Sequence, residues 1–194
     1  MLVAHDGELV YERANGYRDR AAGAPMQLDT IFRGASMTKP IVAVAALTLV
    51  EEGKLQLWEP VATYLPELSD VRVGMEREVP ARPMTVQDLF RHTSGFTYGA
   101  FGSTPVHAAY RDAKIPDPAD TNQVMVRKLA TVPLMYHPGT TFEYGMSIDV
   151  LGRIVEVLDG LAANGEDNAA VEAAVKKRVQ ALCTRFPIYP QGPG

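Results

Sequence analysis

Residues 29–40 read DTIFRGASMTKP, and this stretch decides how the rest of the chain is read. At its centre lies Ser36-Met37-Thr38-Lys39, an S-x-x-K sequence. Behind it, Ile41, Val44, Ala45, Thr48 and Leu49 recur at helical spacing, which predicts a helix from about Met37 to Glu52. Pro40 falls in the first turn, where a missing N–H costs little, and Gly53 is placed to end the helix. Residues three apart on a helix share a face, so the Ser36 hydroxyl and the Lys39 amine can approach each other. Serine is a poor nucleophile until a base takes its proton. A lysine kept neutral by burial or by neighbouring positive charge can be that base, and a helix N-terminus favours negative charge developing beside it. The tetrapeptide alone also fits an N-capping serine followed by a solvated first-turn lysine, so the flanking sequence has to decide.

The flanks carry several further pieces. LVEEGKL at 49–55 is followed by Pro60 and by Tyr64-Leu65-Pro66. Thr85 to Phe96 reads TVQDLFRHTSGF, with the LFRHTSG run at 89–95. His137-Pro138-Gly139-Thr140 precedes Phe142-Glu143-Tyr144, and Asp149-Val150-Leu151-Gly152 comes next. In this order, over roughly residues 1–160, these pieces resemble class C β-lactamases and their family VIII carboxylesterase relatives, a penicillin-binding-protein-like group of serine hydrolases.

The resemblance implies roles residue by residue. Ser36 is the nucleophile that forms an acyl-enzyme. Lys39 is its partner base or a charge donor. Tyr144 matches the tyrosine of the Y-x-N motif and exchanges a proton with Ser36 and the leaving group. A tyrosine can do this when its pKa falls, and a nearby lysine cation favours the phenolate. The resemblance makes the HTSG turn structural, so His92 and Ser94 are not read as a catalytic pair. Three positions depart from the pattern. Met146 stands where β-lactamases carry asparagine, which favours the esterase branch. Gly145 and Gly34 stand where serine and a larger apolar residue are usual. A K-T-G-like or W-x-G-like segment, which in the family lies on a late strand and supplies the second oxyanion donor, is not found in the 194 residues. The sequence therefore predicts an incomplete central sheet, and weaker catalysis, since one oxyanion donor is worth about 10²–10³ in rate.

Working outward, Asp6-Gly7 between two apolar runs predicts a hairpin over 2–11. Residues 16–30 read as a loop, with a short extended piece at Ile31-Phe32. Thr85 with Asp88 marks a helix N-terminus, in a helix that stops near Ser94-Gly95. Residues 96–119 read as a loop, 122–131 as a helix, and Pro138-Gly139 as a turn. From Ile148, the positions Leu151, Val155 and Leu158 predict an amphipathic helix ending at Gly160. After Gly160 the composition changes: a divergent tail over 161–194, with a helix at 170–182 and a disordered end. Trp58 reads as a packing residue, Cys183 as an ordinary thiol, and Lys176-Lys177-Arg178 as a solvated face.

Composition fits this frame. The chain is 46% hydrophobic and 22% charged with a net charge of −4, an ordinary balance that argues against a nucleic-acid partner. A single cysteine excludes an internal disulfide, and His5, His92, His107 and His137 lack metal-ligand spacing. No apolar run reaches membrane-spanning length and no signal peptide is visible, which predicts a cytoplasmic protein without a membrane partner.

The expected fold class is α+β: a β-lactamase/transpeptidase-like helical region with an N-terminal antiparallel hairpin, forming a partial domain over 1–160. The expected function is a carboxylesterase acting on small or short-chain esters, with weak β-lactam hydrolysis, no cofactor and no metal. The competing readings are a β-lactamase or D-Ala-D-Ala peptidase relative, and a truncated remnant with impaired catalysis. The incomplete sheet also predicts self-association through its open edge.

Overall fold

Asp6 and Gly7 hold φ angles of 49° and 81°, the left-handed pair that a tight hairpin turn requires. They join β1 (Leu2–His5) to β2 (Glu8–Glu12) in antiparallel register, Val3 facing Tyr11 and His5 facing Glu8. The structure, a computed structural model, describes residues 1–164. Within these the chain divides into two compact units, with the boundary in sequence between Ala35 and Ser36.

The N-terminal unit holds the hairpin and a second antiparallel pair, β3 (Tyr17–Asp19) with β4 (Ala24–Pro25). The second pair corrects the reading of 16–30 as a loop. Asp19 accepts hydrogen bonds from the Ala21 and Ala22 amides, so a side chain organises this turn where no apolar alternation announced strands. Ile31-Phe32, expected to be extended, belongs to no strand.

The second unit is helical. Helix α1 (Thr38–Glu51) begins where expected and ends in a Schellman arrangement: Gly53 at φ 71° donates to Val50 O (3.0 Å) and Lys54 donates to Leu49 O (2.9 Å). The positions whose spacing marks the helix do not form one buried face, although Leu49 among them is buried. Ile41 and Val44 are exposed, whereas Ala46 and Leu49 are buried with Val42 and Val50 packed beside them. From Pro40 to Val50 only Thr48 is polar, so periodicity could not choose a face; packing against α5 does.

Helix α5 (Ser147–Asn164) is the hub, in contact with α1, with α2 (Val86–Arg91) and with α4 (Asn122–Leu129). Ile148, Val150, Leu151 and Ile154 are buried there together with Val86, Leu89, Met125, Val126 and Leu129. The helix does not stop at Gly160. That residue is buried and lacks the positive φ of a helix-ending glycine, and an interior glycine costs only about 1 kcal/mol. The reading of 96–119 as a loop missed α3 (Pro105–Asp112), although its Thr-Pro start is a standard signal: the Thr104 side chain accepts from His107 N–H. Trp58, expected to pack, is 73% exposed. The expected helix at 170–182, the tail end, Cys183 and Lys176-Lys177-Arg178 lie outside the described residues.

One buried charge organises the turns that lead to Tyr144. The Asp88 side chain is only 5% exposed. It accepts two hydrogen bonds from the Arg82 guanidinium (2.7 and 2.8 Å), one each from Thr85 N–H and Thr85 Oγ1 (both 2.9 Å), and one from Thr93 Oγ1 (3.0 Å). Helix α2 stops at Arg91, earlier than expected, because His92 turns left-handed at φ 54°. Thr93 N–H then donates to Asp88 O (2.9 Å), Gly139 N–H to Thr93 O (2.7 Å) and Glu143 N–H to His92 O (2.8 Å). Burial pushes the Asp88 carboxyl up, but Arg82 and the Thr85 and Thr93 donors outweigh it and hold its pKa below the usual carboxylate value.

Removing one partner of a buried ion pair costs about 3–5 kcal/mol, and the 43% exposure of the Arg82 side chain lowers this to roughly 2–3 for Asp88→Asn in urea or thermal unfolding. Because the folded pKa lies below the unfolded one, this stability is present above the unfolded pKa and is lost as pH falls through the folded one. The gap between wild type and Asp88→Asn should therefore close only in acid. A gap independent of pH would contradict this account of Asp88.

Candidate active site

Ser36 sits on a short 3-10 turn, Ala35–Met37, that runs directly into α1. Ala35 before it has φ 45°, a left-handed conformation that costs a residue with a Cβ roughly 1–2 kcal/mol. The strained turn sets Ser36 at the mouth of the helix, with Lys39 one turn along and half-buried.

Tyr144 arrives from the 142–146 segment, whose alternation of faces places it. Glu143 points inward and accepts from Thr97 Oγ1 (2.6 Å), and its N–H donates to His92 O. Gly145 N–H donates to His92 Nδ1 (3.4 Å). Tyr144, between these anchors, points outward. Its ring lies 4.9 Å from the His92 ring and 5.8 Å from that of Tyr98. The Tyr144 hydroxyl is 2.6 Å from Ser36 Oγ, a short hydrogen bond between residues 108 positions apart. Lys39 Nζ stands 5.0 Å from the Tyr144 ring centre. The structure thus brings Ser36, Lys39 and Tyr144 together.

Gly145 has a steric reason. A Cβ there would collide with the Phe96 carbonyl oxygen and lie 2.6 Å from Thr97 Cα. Met146 is 1% exposed, so its side chain belongs to the core and not to the cleft. Ser94 is buried and paired with Ser147 Oγ (2.8 Å), apart from any base. His92 accepts through Nδ1 and stacks on Tyr144; burial and the Lys39 charge lower its pKa against the pull of Asp149, so it stays neutral.

Two residues escaped sequence reasoning. Lys39 Nζ donates to Tyr98 OH (3.2 Å), and Tyr98 OH donates to Asp149 Oδ2 (3.3 Å). Asp149 lay inside a quoted motif without an assigned role. Tyr98 carried no signal, because only folding brings residue 98 to a lysine 59 positions away.

These contacts set the charges. Burial is the largest influence on Lys39 and lowers its pKa, but hydrogen bonds to Tyr98 and Tyr144 and the fields of Tyr98 and Asp149 together raise it above the ordinary value. Lys39 is therefore a cation at neutral pH, which leaves it suited to charge donation rather than to acting as the base. The Tyr144 pKa is lowered, first by the Ser36 hydroxyl and, against partial desolvation, by Lys39. The phenolate is thereby more accessible beside a serine hydroxyl within proton-transfer distance.

Comparisons with known proteins identify the family. Residues 1–167 match the family model Beta-lactamase. The chain is 41% identical to Esterase EstB of Burkholderia gladioli over 164 residues, 82% of this chain and 40% of that one. It is 36% identical to Lovastatin esterase of Penicillium rubens, over 79% of this chain and 40% of that one. Among solved structures, EstCE1, "a hydrolase with promiscuous acyltransferase activity", superposes with a TM-score of 0.73 at 31% identity, over 92% of this chain and 45% of that one. The chain thus spans less than half the length of each.

Overpacking a closed contact costs about 1–3 kcal/mol, so Gly145→Ala should lower the unfolding midpoint and displace Tyr144 from Ser36. An unchanged midpoint, with the Tyr144 ionisation unmoved in an NMR titration, would show that the 96–97 backbone does not press on this segment.

Proposed function

The chain belongs to the Beta-lactamase family, and on that premise we propose that it is a serine hydrolase that takes short-chain carboxylic esters through an acyl-enzyme on Ser36. The observation that carries this reading is the 2.6 Å contact between Ser36 Oγ and the hydroxyl of a tyrosine whose pKa is lowered beside a lysine cation.

The steps follow from that contact. With Tyr144 ionised, its phenolate accepts the Ser36 proton as Oγ attacks the ester carbonyl. The negative charge on the tetrahedral oxygen develops next to the start of α1, where the helix dipole and the Ser36 N–H favour it. Collapse breaks the C–O bond to the alcohol, and the proton on Tyr144 passes to the departing alkoxide. The acyl group remains on Ser36. Tyr144, again a phenolate, takes a proton from water as the water attacks the acyl carbonyl; collapse then breaks the bond to Ser36 Oγ, the proton passes from Tyr144 to that oxygen, and the acid leaves. Lys39 stays protonated throughout and supplies the field that makes the phenolate accessible.

Ester rather than β-lactam substrates are supported by the names of two relatives, EstB and lovastatin esterase, and by Met146, which leaves no amide-binding side chain at that position. Transfer of the acyl group to an alcohol in place of water is the natural side reaction of the same intermediate, in keeping with the acyltransferase activity in the description of EstCE1.

The test is hydrolysis of p-nitrophenyl acetate and butyrate together with labelling by a fluorophosphonate probe. Ser36→Ala should abolish both turnover and label, and Tyr144→Phe should lower kcat by about 10²–10⁴, the usual worth of a positioned general base. kcat/KM should rise with pH through a group whose pKa lies below the ordinary tyrosine value. Activity kept by Ser36→Ala and lost in Ser94→Ala would overturn the assignment. A folded wild-type chain with no label at Ser36 would favour a non-catalytic remnant.

A further inference from the structure

Two tyrosines flank the one lysine of the site, and only one of them is needed by the chemistry above. Tyr98 is the other. It is half-buried on the segment that follows the HTSG turn, and its ring centre lies 5.6 Å from Lys39 Nζ. Its hydroxyl has two partners. It donates to Asp149 Oδ2 (3.3 Å), in the first turn of α5, and it accepts from Lys39 Nζ (3.2 Å). A hydroxyl has one proton. With that proton directed to Asp149, the oxygen presents only lone pairs to the ammonium.

We propose that Tyr98, oriented by Asp149, is a positioning residue that fixes the Lys39 ammonium beside Tyr144 and so determines which tyrosine serves as the base. This rests on the catalytic reading above and adds to it a holder for the lysine.

The geometry carries the argument. A lysine side chain is a flexible four-carbon stem with a strongly hydrated head, so its field is useful only where a fixed acceptor holds it. Tyr98 OH is such an acceptor. It is neutral, so it does not discharge the lysine by forming a tight ion pair, while Asp149 sits one hydrogen bond further away. The remaining groups around the ammonium are Tyr144 and His92, the latter neutral and committed through Nδ1 to Gly145. The two tyrosines are also driven apart in acidity. Burial and the Asp149 charge raise the Tyr98 pKa against the opposing pull of Lys39, whereas that of Tyr144 is lowered. Groups of one chemical type whose environments push them in opposite directions mark separate roles.

Tyr98→Phe tests the idea, because it removes one oxygen, changes no charge and keeps the ring. With the ammonium released, the Tyr144 pKa returns toward the ordinary tyrosine value. The acidic limb of kcat/KM should therefore move to higher pH by about half a unit to one unit, and kcat at neutral pH should fall roughly 3–10-fold with KM unchanged. A purely packing role would alter the unfolding midpoint without moving the limb, and an unmoved limb in a folded Tyr98→Phe protein overturns the proposal. A second measurement needs no variant. NMR titration of ring-labelled tyrosines in the wild-type chain should show Tyr144 ionising while Tyr98 stays neutral; ionisation of Tyr98 first overturns it. The reading of Ser36 fails separately, by loss of fluorophosphonate labelling in the wild type or by retained turnover in Ser36→Ala.

Discussion

A buried carboxylate must be neutralised and fully hydrogen-bonded or it unfolds its surroundings, and Asp88 meets that demand with five donors. These donors come from three residues, each on a different piece of chain. Arg82 ties down the segment before α2, Thr85 the start of that helix, and Thr93 the turn after it. The backbone of that turn then holds Gly139 and Glu143 through Thr93 O and His92 O. The position of Tyr144 is thus inherited from a buried charge several contacts away.

The site itself separates geometry from charge. Ser36, on the 3-10 turn, and Lys39, in the first turn of α1, follow one another closely, but each side chain turns to other partners. Lys39 turns to Tyr98 and Tyr144, and Ser36 pairs with Tyr144. The lysine stays a cation because its partners, with Asp149 behind them, offset the cost of partial burial. Its positive field falls on Tyr144, whose pKa is lowered, and in the proposed reaction the proton moves between that tyrosine and Ser36. This division of labour explains why the S-x-x-K spacing left open whether the lysine is base or charge donor: the spacing sets where the nitrogen can reach, and the neighbours set its protonation.

Some elements were legible in the residues because their causes are local. Asp6-Gly7 marked the hairpin, Gly53 the end of α1, Thr121 precedes an α4 that starts where read, and Asp88 marked the start of α2. Each is decided by a backbone angle or a capping group within four residues. Other readings failed where the cause is distant. The buried face of α1 is chosen by α5, since the run from Pro40 to Val50, polar only at Thr48, has no preferred side in its own sequence. Gly160 reads as a helix end, yet the helix continues through it. The pair β3–β4 rests on the Asp19 turn, without the alternation that announces a strand. Helix α3 was missed although Thr104-Pro105 announced it, because a loop-like composition around it masked the cap.

The run 29–40 and its helical spacing make α1 legible with Ser36 and Lys39 within reach of each other, and the resemblance carried by the surrounding motifs points to Tyr144. Folding alone settles that Tyr144 touches Ser36, that Lys39 is shared between two tyrosines, and that Tyr98 and Asp149 belong to the same cluster. Those contacts join positions 51 to 108 residues apart. Proton affinity depends on what lies within a few ångströms in space, and no spacing along the chain encodes that distance.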